Sequence, residues 1–154
     1  MDFMLGGFFS DPLPVGSPAP DFTERDQDGN SVTLSHLRGR NVILVFYPGD
    51  DTTVCTRQLC EFRDQWKDAE TRNVLVFGVN PAGDASHRRF RDKYRFPFPI
   101  LVDERRRIAS LYRCGGLIVR RTVYLIGTDG LIRYAMRGKP QVSDVLIAAY
   151  VNQM

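Results

Sequence analysis

Cysteine is scarce in this chain, with three residues in 154, an odd number. That excludes a small scaffold stapled by disulfides and argues against a secreted, fully paired protein. There are two histidines, His36 and His87, and no second cysteine pair to complete a zinc-ligand pattern, so neither a metal nor a cofactor is expected. Both histidines read as solvent-facing or internally satisfied. A strong charge of either sign is also missing. The 21 Lys and Arg against 18 Asp and Glu leave +3, with no basic stripe interleaved with aromatics, so no nucleic-acid partner is implied. The run Arg105-Arg106-Arg107 is short and reads as a solvated helix face. Long apolar runs are absent too. The opening MDFMLGGFF is apolar but glycine-broken, carries Asp2 and lacks a basic flank, so it reads as neither a signal peptide nor a membrane span. A cytoplasmic chain with reduced thiols and no membrane contact is the expectation.

What is present is an ordinary globular composition, 43% hydrophobic and 25% charged, long enough for one domain over 1–154 with a real core. Residues 1–20 carry four prolines and read as an extended segment packed on that domain. DFTERDQDGNSVTLSHL predicts a short hairpin turning at Asp28-Gly29-Asn30. NVILVFY (41–47) and VLVFGV (74–79) are continuous apolar runs, the mark of strands buried on both faces. Residues 53–70 predict one helix, with Cys55, Leu59, Phe62 and Trp66 on a shared face. Helices follow at 84–95 and 104–113, separated by the short strand ILV. TVYLIGTDGLIRYAM predicts a hairpin turning at Asp129-Gly130, and a last helix starts from a Ser143 cap. The order βαβαβαββα after an N-terminal hairpin implies a mixed central sheet flanked by helices, a thioredoxin-like α/β architecture.

Two of the three cysteines fall in FYPGDDTTVCTRQLCEF, where the first strand meets its helix. Cys55 lies in the first helical turn, where free backbone N–H groups and the macrodipole favour an anion such as a thiolate. It also shares a face with core residues and reads equally as a buried core thiol. Thr52 is placed to cap the helix or to reach a group bound at Cys55, and Pro48 shapes the approach loop. Asp50 and Asp51 work against a thiolate unless they point to solvent or pair with arginines. Cys60 sits five residues on. In a regular helix the two Cα atoms lie about 8.6 Å apart, beyond the roughly 7 Å limit for a disulfide. The two thiols are either unrelated or joined only when the helix opens.

Pro48, Thr52 and Cys55 together form a P-x-x-x-T-x-x-C pattern that resembles the peroxiredoxins, and the five-residue offset to Cys60 resembles their peroxiredoxin Q, or bacterioferritin comigratory, subfamily. GSPAPDF, CEFRD, SHRRF, FPFPILVD and RRTVYLI…DG are similar to that family in order. The resemblance implies a thiol peroxidase acting on hydrogen peroxide and organic hydroperoxides. Cys55 would be the peroxidatic cysteine, with Thr52 hydrogen-bonding the peroxide, Pro48 shielding the pocket and Arg121 stabilising the thiolate. Arg120 would point to the opposite side. Cys60 would resolve the sulfenic acid as a Cys55–Cys60 disulfide, reduced by thioredoxin or a glutaredoxin-type dithiol, in a monomer or weak homodimer. Gly49, Thr53-Val54 and the loop VNPAGDASH depart from the usual family pattern. Cys114 is expected to pack at a helix end, with a resolving role as the alternative. A thiol–disulfide oxidoreductase on the same fold would want C-x-x-C, which is absent. A redox-sensing module is the other alternative.

Overall fold

The apolar run Asn41–Phe46 forms a strand buried along its whole length, because it lies at the centre of a five-stranded sheet covered on both faces. The computed structural model describes residues 11–152. Strands β1 (Thr23–Arg25) and β2 (Ser31–Thr33) pair antiparallel as a separate ribbon, and a 3-10 turn follows at Leu34–Leu37. Then come β3 (Asn41–Phe46), α1 (Thr53–Asp64), α2 (Trp66–Thr71), β4 (Val74–Asn80), α3 (Asp84–Tyr94), β5 (Ile100–Val102), α4 (Arg107–Leu111), β6 (Thr122–Ile126), β7 (Ile132–Arg137) and α5 (Val142–Asn152). The sheet order is β5-β4-β3-β6-β7. The β3–β4 and β4–β5 pairs are parallel, and the β3–β6 and β6–β7 pairs are antiparallel.

Side chains alternate across this sheet and make two cores. Ile43, Val45, Val123 and Leu125 face one side, where Leu59 and Phe62 of α1, Phe90 of α3 and Val145 and Leu146 of α5 pack. Val42, Leu44, Phe46 and Tyr124 face the other, against Ile108 of α4, Tyr112, Phe22 and Leu34. Helices therefore cover both faces of a mixed sheet, as the alternation of elements implies. Of the expected extended segment, residues 11–20 carry no named strand or helix. They lie along the β6–β7 hairpin, with Gly16 N–H on Ile132 O at 2.7 Å and Ala19 N–H on Gly130 O at 2.9 Å. Its first ten residues lie outside the described residues.

Three element boundaries differ from expectation, each for a local reason. The predicted helix 53–70 is two helices, because Gln65 leaves helical geometry (φ −107°, ψ 15°) and its N–H closes on Phe62 O. The break turns Trp66 onto Phe98, ring centroids 6.3 Å apart. The helix expected over 104–113 starts only at Arg107: Arg106 sits at φ 55°, and the Asp103 carboxylate takes the N–H groups of Ile108 and Ala109. The last helix begins at Val142, so Ser143 lies inside its first turn rather than capping it. Among the described residues no helix is long and apolar enough to cross a membrane.

Candidate active site

The register of the sheet creates the site. Phe46 at the end of β3 pairs with Thr122 at the start of β6, so the residues just beyond each end, Tyr47 and Arg121, meet at one rim. The chain leaves β3 through Pro48–Thr52 and enters α1, whose third residue is Cys55, fully buried. Thr52 O accepts the Thr56 N–H at 2.8 Å, so the helix offers no partner to the N–H groups of Thr53, Val54 and Cys55. Arg121 reaches in from β6. Its Nη2 donates to Cys55 Sγ at 3.1 Å and its Nη1 to Gln58 Oε1 at 2.8 Å. The sulfur therefore sits between a helix N-terminus and a guanidinium. Arg120 serves the opposite face: its N–H donates to Cys114 O, and its charge acts on that thiol.

The other residues singled out in the sequence sit nearby but do not all converge. Pro48 is half-buried in the approach loop. Thr52 occupies the N-cap position without a side-chain cap, and its exposed hydroxyl donates back to Gly49 O at 3.1 Å rather than to the sulfur. Cys60 lies on the same unbroken helix as Cys55, half-buried against the α1-side core, and both thiols are free. Burial, with Asp64 and Glu61 adding and Arg63 opposing, pushes the Cys60 thiol up from its ordinary value. Cys114 is fully buried in the core on the other face of the sheet, 3.3 Å from Tyr112 O, and burial pushes its thiol up to about 11.

The two aspartates before the helix are both paired, and of the two only Asp51 is exposed to solvent as expected. Asp50 neither faces solvent nor meets an arginine. Its carboxylate accepts from Tyr47 Oη at 2.7 Å, Ser86 Oγ at 2.7 Å and His87 Nδ1 at 2.6 Å. Burial opposes its charge, yet the hydrogen bonds from His87, Tyr47 and Ser86 outweigh it and hold the carboxyl below its ordinary range. Asp51, in left-handed geometry at φ 56°, accepts from Lys93 Nζ at 2.8 Å and Tyr94 Oη at 2.6 Å. Burial first, then the Asp50 carboxylate and Cys55, push the Tyr47 phenol well above its ordinary range. Gly78 makes room for that ring, since a Cβ there would stand 3.3 Å from Tyr47 Cε1.

Gln58 escapes the sequence reading. It is a polar residue on the buried face of α1, 1% exposed, and it holds Arg121 from behind. The signal was its position one turn after Cys55 on an otherwise apolar stripe. Replacing it by leucine keeps the volume but strips Arg121 Nη1 of its acceptor. Gln58→Leu is expected to cost about 1–3 kcal/mol of stability and to slow Cys55 chemistry, read by chemical denaturation and by Cys55 alkylation rate respectively. An unchanged alkylation rate would leave Gln58 a core residue only.

A helix-terminal thiol clasped by an arginine at the rim of a thioredoxin-like sheet defines a thioredoxin-fold thiol protein. Residues 15–135 match the AhpC/TSA family, and the chain belongs to it. A protein of Coxiella burnetii named as a peroxiredoxin bcp is 36% identical over 129 residues, spanning 78% of this chain and 85% of that relative. A chloroplastic peroxiredoxin Q of Oryza sativa subsp. japonica is 39% identical over 126 residues, spanning 77% of this chain but 57% of the relative, so the chain matches little more than half of that protein. The crystal structure of peroxidoxin BcpB from Mycobacterium tuberculosis superposes with a TM-score of 0.82 at 26% identity, covering 89% of this chain and 96% of that one.

Proposed function

We propose that the chain is a thiol peroxidase that reduces hydrogen peroxide and organic hydroperoxides at Cys55. The observation that carries this reading is the Arg121 guanidinium 3.1 Å from the Cys55 sulfur at the start of α1. A thiolate there attacks the terminal peroxide oxygen. The S–O bond forms as the O–O bond breaks, and the leaving alkoxide or hydroxide takes a proton from solvent. The products are a Cys55 sulfenic acid and an alcohol or water. Arg121 stabilises the thiolate and the negative charge growing on the peroxide oxygens. Pro48 shields the approach. Thr52, whose hydroxyl turns to Gly49 O in the resting loop, meets the peroxide after rotation about its side-chain bond. Cys60 then attacks the sulfenic sulfur, releasing water and closing the Cys55–Cys60 disulfide. A thioredoxin or glutaredoxin-type dithiol reduces it. On this reading the protein is a monomer or weak homodimer of the cytoplasm.

The test is peroxide consumption by purified protein with a thioredoxin, its reductase and NADPH. Catalytic turnover supports the reading. Disulfide exchange on protein substrates without peroxide turnover favours an oxidoreductase instead, and neither activity a redox sensor. In the same assay Arg121→Met, which keeps length and removes charge, is expected to slow peroxide attack about a hundred- to a thousandfold, the range for removing one charge-stabilising donor. A rate within twofold of the parent would make Arg121 structural.

A further inference from the structure

Both ring nitrogens of His87 face oxygen acceptors. Nδ1 stands 2.6 Å from Asp50 Oδ2, and Nε2 stands 3.1 Å from the backbone carbonyl of Asn80. A carbonyl has no proton to give, and the Asp50 carboxylate already accepts from Tyr47 and Ser86. A neutral imidazole carries one N–H and one lone pair. In this cage its lone pair would confront an oxygen lone pair, on a ring with no exposed surface where water would substitute. We propose that His87 is a buried imidazolium that cancels the charge of Asp50 and thereby keeps the Cys55 site open to a thiolate.

Among the described residues, the surrounding charged groups are engaged elsewhere. From the loop, Asp51 is spent on Lys93 and Tyr94. On α3, Asp84 pairs with Arg88, and Arg91 pairs with Asp28 and Asp92. From the β5–α4 turn, Asp103 directs its carboxylate to the N–H groups of Ile108 and Ala109. Just past β3, Tyr47 donates to Asp50 and packs in the same buried cluster as Cys55 of α1. Asp50 is thus one phenol removed from the core cluster that holds the sulfur. With a neutral partner it would place an uncompensated negative charge there and oppose the thiolate. The sequence set this conflict by putting two aspartates just before Cys55, and a histidine 37 positions away resolves the first of them. The pair also ties the approach loop to α3, so His87 acts as a positioning residue as well as a counter-charge.

The protonation state stands apart from the peroxidase reading. Only its catalytic consequence rests on that reading, so the test uses no peroxide. With two histidines in the chain, ring nitrogen-15 NMR of the intact protein at neutral pH separates them, and a His36→Gln control assigns the signals. Two protonated nitrogens on His87 are expected, and a single unprotonated ring nitrogen on His87 overturns the proposal. This is read on the unaltered protein, so it holds whether or not variants fold. The second arm follows Cys55 alkylation by iodoacetamide in a Cys60→Ser background. His87→Gln is expected to slow it about tenfold, equivalent to one unit of thiolate equilibrium. Adding Asp50→Asn, which removes the stranded charge, is expected to return most of the rate. A double variant as slow as the single would mean that the pair acts by packing alone and would sink the charge-balance role.

Discussion

Cys55→Ser is expected to abolish peroxide reduction, lowering the rate by about a thousandfold or more, as removal of a catalytic nucleophile does. Cys60→Ser is expected to behave differently. Cys60 is half-buried on the core side of α1, and its thiol is pushed up by burial, so it is poorly suited to attack peroxide itself. Its loss should leave the first step intact: one equivalent of peroxide consumed, one sulfenic acid trapped by a dimedone-type probe, and no cycling with thioredoxin. Quench-flow with mass spectrometry separates the two variants. Sustained cycling by Cys60→Ser would remove Cys60 from the mechanism. Cys114 is a poor substitute, because it belongs to the core on the opposite face of the sheet from Cys55. The partner would then be an external thiol.

How much of this was legible in the chain depends on whether the information is local. The buried strands were, because VILVF and VLVFGV are apolar throughout, as strands buried on both faces of a sheet are. Both hairpins were, through their Gly29 and Gly130 turns at φ 84° and 82°. The break at Gln65 was not: the apolar spacing runs on through Trp66, and only packing against Phe98 shows why the backbone turns. In the site, Cys55 and Arg121 stood out through motif and order, yet their 3.1 Å contact comes from the β3–β6 register. The partners of Asp50 were hidden for the same reason. Local reading sends two adjacent aspartates to solvent or to arginines, while the fold places His87 of α3 beneath one and Lys93 beside the other. His87 did carry a signal, standing three residues before the buried Phe90 on one helical face.

Oxidation of the cysteine pair is expected to melt α1 and to destabilise the protein. Cys55 and Cys60 occupy one continuous helix, Thr53–Asp64, in the reduced chain. Regular helix geometry holds their Cα atoms about 8.6 Å apart, too far to bond, so the disulfide requires the first turns to unwind. Unwinding has a definite cost. Leu59 is fully buried and Phe62 is 2% exposed, both in the core between α1 and the sheet. Exposing two such side chains costs about 3–6 kcal/mol. Gln58 would lose Arg121, and the Lys139–Glu61 ion pair on the outer side of the helix would break. The resulting loss of stability should lower the melting temperature by about 10 °C or more for a chain of this size. It should also speed amide exchange over residues 52–64 while leaving β3, β4 and β6 protected. Rates matter as well as equilibria, because α1 must open faster than a second peroxide oxidises the sulfenic acid further. Lys139→Ala removes an outer tie of the helix without touching the sulfur, so it should speed disulfide closure and reduce over-oxidation at high peroxide. Hydrogen exchange by mass spectrometry on the reduced and oxidised forms decides the matter. Equal protection of 52–64 in both would show that Cys55 does not bond to Cys60, and the resolving step would have to be sought outside this helix.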